Sequence, residues 1–258
     1  MLPVHPVRGP GWYAWQSRVE LGGRQAVLVP CGSVEQHGPH LPVGTDAWLA
    51  EAVAERVAAP RPGVLLAEPL AYGCSSHHKG FPGTVSLRRQ TFLALIVDIA
   101  TSLAGNGFLP ILVNGHGGNR GALTVATQEL LDQGVDAWVI TYFELIEEDV
   151  ANLLPGYGSA VGHACALETS MVLHLWPDAV HRERIPERSA RGSWPDPFLY
   201  SKDRVIHPRL FRDLDPIGVV GDPRLATEEL GERLFEAAVK RVGDVVDRIV
   251  AESGLAHA

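Results

Sequence analysis

Glu35 and His37 lie two residues apart in the run GSVEQHGPHLPVGTD, and Asp46 closes the same run. In an extended segment, residues two apart project to one face, so a carboxylate and an imidazole can be presented together. Asp46 stands at the start of a helical stretch. There its carboxylate can cap the helix, sit favourably in the helix dipole, or bridge two cations about 3.5–4 Å apart. His116 lies in NGHGGN, whose glycines let the chain approach an ion closely. Two further clusters hold His77 and His78 (YGCSSHHKGFPGT) and His163 and Glu168 (GHACALETS). A mixed His/Asp/Glu set suits zinc, manganese or iron(II), whereas magnesium and calcium prefer oxygen alone. Cys31, Cys74 and Cys165 are too widely spaced for a Cys-rich structural zinc site. The pattern therefore reads as an open, catalytic metal site.

Each motif taken singly has a plainer reading. A histidine after a strand can be a hydrogen-bonded loop residue, and Asp46 can be a helix-terminal carboxylate. NGHGGN can be a bare glycine turn or an anion cradle at a helix N-terminus, although it lacks the P-loop lysine and the dinucleotide spacing. His40 reads as structural or supporting, and His77 as exposed. Cys74 and Cys165 fall inside motif segments, but neither has an evident base beside it. Trp194 and Tyr200, in a Pro-rich loop, read as packing or pocket-lining residues.

The elements that must position these clusters alternate. Strands are expected at 26–30 (AVLVP), 64–67, 108–113 (FLPILV) and 137–141 (AWVIT), and helices at 45–59, 87–103, 119–131, 166–175 and 225–250. Thr45 is the expected cap of the first helix, and Gly105-Asn106-Gly107 the stop of the second. Strands separated by helices imply βαβ units around a mostly parallel sheet, so residues 1–258 read as a single three-layer α/β/α domain. Residues 155–162 and 193–221 read as long loops. Ligands in such open sheets sit beyond the carboxyl ends of the strands, which is where the polar clusters fall.

A formal net charge of −8 and the lack of a Lys/Arg cluster argue against a nucleic-acid partner. The arginines between His181 and Arg191 are interrupted by glutamates and read as a solvated loop. Three cysteines at wide spacing make a poor disulfide framework and fit a reducing compartment. No signal peptide or membrane-spanning run is evident, so the expected location is the cytoplasm.

Taken in order, GSVEQHGPHLPVGTD, HKGFPGT, NGHGGN and HACALETS resemble the signature of the creatininase (creatinine amidohydrolase) family, with a weaker echo in GVVGDP. The resemblance implies a parallel-sheet α/β fold, a homo-oligomer such as a hexamer, and two divalent ions per subunit, zinc foremost, with manganese or iron as alternatives. Glu35 and His116 would hold one ion, His37 the other, and Asp46 would bridge them. His163 would be the catalytic histidine, giving a proton to the leaving nitrogen, with His78 or a backbone N–H helping to stabilise the oxyanion. One departure stands out. Creatininase places a carboxylate ligand two residues after the histidine matching His116, and here that position is Gly118. Glu168 is the best substitute. The implied activity is cleavage of a C–N amide-type bond in a cyclic amide, formamide or short peptide. The family also includes a mycofactocin precursor peptide peptidase, for which the stretch between Thr141 and His163 is long. A non-catalytic metal- or nucleotide-binding protein on this scaffold, or a cysteine hydrolase, would be the competing readings.

Overall fold

The computed structural model describes residues 11–17, 21, 25–154, 162–187 and 209–254. Trp194, Tyr200 and Arg191 lie outside the described residues. Four strands form one parallel sheet: β1 (Ala26–Cys31), β2 (Val64–Leu66), β3 (Leu109–Asn114) and β4 (Trp138–Thr141), in the order β2-β1-β3-β4. Every residue of β1, β2 and β3 is buried, as expected of a sheet covered on both faces. Alternate side chains feed two separate apolar layers. Ala26, Leu28, Leu109, Ile111 and Val113 face one side, while Val27, Val29, Cys31 and Leu112 face the other.

The helices run α1 (Thr45–Ala58), α2 (Arg89–Gly105), α3 (Arg120–Asp132), α4 (Tyr142–Leu145), α5 (Glu147–Leu153), α6 (Ala166–Leu175), α7 (Phe211–Leu214) and α8 (Glu228–Glu252). Phe92, Ile96, Leu123 and Leu130 of α2 and α3 cover one face of the sheet. Helices α1, α6 and α8 cover the other through Leu49, Val53, Met171, Leu234 and Val242. This is the three-layer α/β/α arrangement. The chain leaves β1 toward α1 on one face and leaves β3 toward α3 on the other. The connections that follow these adjacent strands therefore diverge, opening the crevice in which open sheets bind ligands.

Several boundaries differ from the sequence reading for local reasons. Thr45 is the first residue of α1 rather than its cap. Gly44 holds the cap position, and Thr45 Oγ1 donates instead to the Pro42 carbonyl at 2.7 Å. Leu225 belongs to a 3₁₀ turn, Pro223–Leu225, and α8 starts after Thr227, whose hydroxyl accepts from Leu230 N at 3.0 Å. Helices α4, α5 and α7 were not anticipated. The stop after α2 is as expected, with Gly107 at φ 87°. Among the described residues no helix is long and apolar enough to cross a membrane.

Helix α8 presents Gly231, Leu234, Phe235, Ala238 and Val242 to the core at helical spacing. Gly231 allows the closest approach to α6, because a Cβ there would lie 1.8 Å from the Ser170 carbonyl oxygen. Gly231→Ala must therefore push α6 and α8 apart. The expected result is a loss of about 1–3 kcal/mol, seen as a melting temperature lower by about 2–4 °C per kcal/mol. An unchanged melting temperature would contradict this packing.

Candidate functional site

Three loops that follow strands and one helix start converge in the crevice. The segment after β1 turns its backbone so that Glu35 N donates to the Val43 carbonyl and Val85 N to the Val34 carbonyl. This extended stretch sends Glu35 and His37 to one point. After β3, Asn114 Nδ2 donates to the His116 carbonyl at 2.9 Å, and His116 N donates to Asn114 Oδ1 at 3.2 Å. Asn119, the last residue of NGHGGN, accepts from Cys74 N and donates to the Gly32 carbonyl. It thereby ties together the loops after β1, β2 and β3. The two asparagines of the motif are structural.

Asp46, on the first turn of α1, divides its two oxygens. Oδ1 lies 3.1 Å from His37 Nε2, and Oδ2 lies 2.9 Å from His116 Nδ1. Glu35 Oε2 lies 3.3 Å from His116 Nε2, and its Oε1 lies 3.0 Å from His78 Nε2. Glu168 Oε1 lies 3.9 Å from His37 Nε2, while its Oε2 accepts from Cys165 N at 3.3 Å in a capping box at the start of α6. All seven anticipated site residues (Glu35, His37, Asp46, His78, His116, His163 and Glu168) thus fall in one cluster. Only Glu168 is not fully buried.

His163 sits opposite, its ring 4.4 Å from those of His37 and His78. Its backbone pairs with Val220 through two hydrogen bonds of 2.8 Å, so the GVVGDP segment forms a seam beside the site. A Cβ at Gly162 would lie 1.9 Å from the Val220 oxygen, which keeps the seam tight. The next residue, Ala164, is buried in the left-handed region at φ 50°, and this turn lets His163 join the seam while Cys165 opens α6.

Hydrogen bonds set the imidazole orientations. His37 Nδ1 lies 3.1 Å from the Glu35 carbonyl, a bond it makes as donor, which turns Nε2 toward Asp46 and Glu168. His163 Nε2 donates to the Gln36 carbonyl at 2.7 Å, leaving Nδ1 facing Glu35 at 3.8 Å. The Gln36 side chain donates to the Gly218 carbonyl at 3.0 Å and lies 3.0 Å from His78 Nδ1. Its Oε1 accepts from Gly38 N at 2.9 Å. Both nitrogens of His78 are thus engaged, with Glu35 and with Gln36.

Burial penalises the Glu35 carboxylate, but His116, His78 and His163 outweigh it and hold the group well below the usual carboxylate range. Burial works against charge on His37 and His116 as well. The neighbouring carboxylates overcome it, raising them to about 10 and about 9 respectively. Burial pushes Glu168 up to about 7. Burial, with His37 and His78 alongside, drives His163 well below its ordinary value.

This chemistry fits a cation pair. Glu35 Oε2 and Asp46 Oδ2 are buried and face ring nitrogens of His116 at 3.3 and 2.9 Å, a carboxylate–imidazole pairing that a cation can enter. Donor atoms of Glu35, His77 and His116, and separately of His37, Asp46 and Glu168, lie within 4.8 Å of one another. Carboxylate oxygen with imidazole nitrogen is the mixture that zinc, manganese and iron accept.

One residue has a different place from the one its sequence context indicated, and two more enter the site without having been singled out. His77 is half-buried and stacked on His116, with ring centroids 5.5 Å apart and planes 11° apart, rather than exposed. Gln36 and Phe211 were not singled out, yet Phe211 lies over His77, His78 and His163 at centroid distances of 5.6, 4.2 and 4.9 Å. Gln36 could have been suspected from its place between two ligand-type residues. Phe211 gave no signal. His40 bonds Thr169 Oγ1 at 3.0 Å and supports α6.

Comparison with known proteins agrees with this picture. The family model described as creatininase (creatinine amidohydrolase) matches residues 13–246. The mycofactocin precursor peptide peptidase of Mycobacterium ulcerans is 38% identical, covering 87% of this chain and 84% of its own length. The creatinine amidohydrolase of Pseudomonas putida is 30% identical, covering 91% and 93%. A solved creatininase with manganese superposes with a TM-score of 0.71 at 29% identity, over 87% of this chain and 90% of that one.

Two outcomes follow from the geometry. Gln36→Leu strips the Gly218 carbonyl and Gly38 N of their partners. It is expected to destabilise the fold by about 1–3 kcal/mol, read as a lower urea midpoint, and an unchanged midpoint would show that these bonds do not matter. The three cysteines are free and buried, and burial raises Cys74 and takes Cys165 up to about 12. An alkylating reagent should therefore label them only after denaturation. Rapid labelling of native protein, with loss of activity, would revive a thiol mechanism.

Proposed function

This chain belongs to the creatininase family of amidohydrolases, and on that premise we propose that it is a metal-dependent hydrolase cleaving a C–N amide bond with two divalent ions. The observation that carries this reading is the division of Asp46 between His37 and His116, with a buried Glu35 oxygen against the same His116 ring. Glu35 and His116 would hold one ion, and His37 and Glu168 the other, with Asp46 between. Glu168 would supply the carboxylate that Gly118 does not. Zinc fits foremost, and manganese or iron fits the same donors.

When bound, such a pair supplies a water of lowered pKa and a polarised substrate carbonyl. The protein's own groups do the rest. Glu35 and Asp46 fix the site's charge, and His78 orients Glu35 through its Nε2–H. His163 is held by the Gln36 carbonyl with Nδ1 free, so it can take up a proton there and deliver it to the leaving nitrogen. Phe211 screens the three imidazoles beneath it from water.

A peptide amide is the favoured substrate, since the peptidase of M. ulcerans shares 38% identity with this chain against 30% for the P. putida creatinine amidohydrolase. Cyclic amides and formamides are the alternatives. Assembly as a homo-oligomer in the cytoplasm completes the reading.

Chelator treatment should abolish hydrolysis, and zinc or manganese should restore it. Glu35→Gln and Asp46→Asn should each lower metal affinity by at least about 10-fold. His163→Ala should retain metal while kcat falls by about 10²–10⁴. In a panel of short peptides, formamides and creatinine, peptides should turn over fastest. Full activity in excess chelator would end the metal reading, and preference for creatinine would end the peptide one.

A further inference from the structure

Gly118 stands where the chain comes closest to two imidazoles. A Cβ there would lie 2.4 Å from His116 Nε2, 2.5 Å from the Cys74 carbonyl and 2.6 Å from His77 Cε1. No residue but glycine leaves that space to the His77 ring. The ring is carried by a 3₁₀ turn, Ser76–His78, closed by the bond from His78 N to the Ser75 carbonyl at 2.9 Å. Phe211 packs beside it, with ring centroids 5.6 Å apart. The ring is thus held near-parallel to His116, with one nitrogen within 4.8 Å of both a Glu35 oxygen and a His116 nitrogen.

We propose that His77 is a further protein ligand of the ion held by Glu35 and His116, admitted to that position by the absence of a side chain at Gly118. The proposal rests on the two-ion reading given above and adds an asymmetry to it. One ion is served by Glu35, His77 and His116 together with an oxygen of Asp46. The other is served by His37, Glu168 and the remaining Asp46 oxygen. The first shell holds one more protein donor, so its ion binds tighter, and the second ion exchanges more readily. Plain ring stacking of His77 on His116 would produce no such difference.

The test is titration of metal-free wild type, His77→Ala and His37→Ala with cobalt(II), following visible absorption and metal bound per chain. Wild type should take up two equivalents in two resolved steps. His77→Ala should weaken the tight step by at least about 100-fold, above the range for residues that act only through a ligand, and leave the weak step in place. His37→Ala should do the reverse. If His77→Ala binds both ions as wild type does, His77 is a packing residue and the two-ion reading survives. If wild type binds fewer than two ions, the two-ion reading falls and takes this proposal with it. Wild-type crystals soaked in zinc give an answer independent of any variant's folding. Anomalous scattering should place a His77 ring nitrogen about 2.1 Å from one ion, and a separation beyond about 3 Å overturns the assignment.

Discussion

Three carboxylates, Glu35, Asp46 and Glu168, share one small, largely buried volume at the carboxyl edge of the sheet. Buried like charges cannot coexist without compensation. Here the compensation comes from imidazoles, and most of the surrounding architecture serves to bring them in. His37 and His116 flank Asp46, while His78 and His163 close on Glu35. A proton is the smallest cation such a cluster can hold. Divalent ions, as proposed above, would meet the same electrostatic demand and displace those protons.

The fold meets this demand with few parts. Adjacent strands β1 and β3 deliver two loops into the crevice, and the first turns of α1 and α6 carry Asp46 and Glu168. Helix α6 is fixed from behind by α8, where Gly231 brings the two backbones together. The remaining imidazoles come from the turn after β2 and from the seam with Val220. Every ligand-type side chain therefore stands at the end of an element whose body is anchored in an apolar layer.

Much of this was legible in the sequence. The period-two relation of Glu35 and His37 gave their shared face. The placing of polar clusters after β-rich runs located the crevice, and the ETS run pointed to Glu168 despite Gly118. What was hidden depended on distant parts. His77 read as exposed because nothing near it in the chain shows that Phe211 covers it and that Gly118 leaves it room. Gln36 lies between two ligand-type residues, but its own partners, His78, His163 and Gly218, are remote in sequence. Leu225 continued the apolar pattern of α8, but the hydroxyl of Thr227 fixed the true start of the helix. Thr45 lost the capping role because its own hydroxyl turns back to Pro42.

Ala164 places a local backbone strain beside this arrangement. A left-handed conformation costs a non-glycine residue on the order of 1–2 kcal/mol, and the methyl is kept because it fills the apolar layer beneath α6. The residue before Ala164, His163, is held by two backbone bonds to Val220 and by its Nε2–H to the Gln36 carbonyl. His163 is thus carried on a strained seam of two backbone bonds, whereas Glu35 and His116 follow strands in which every residue is buried.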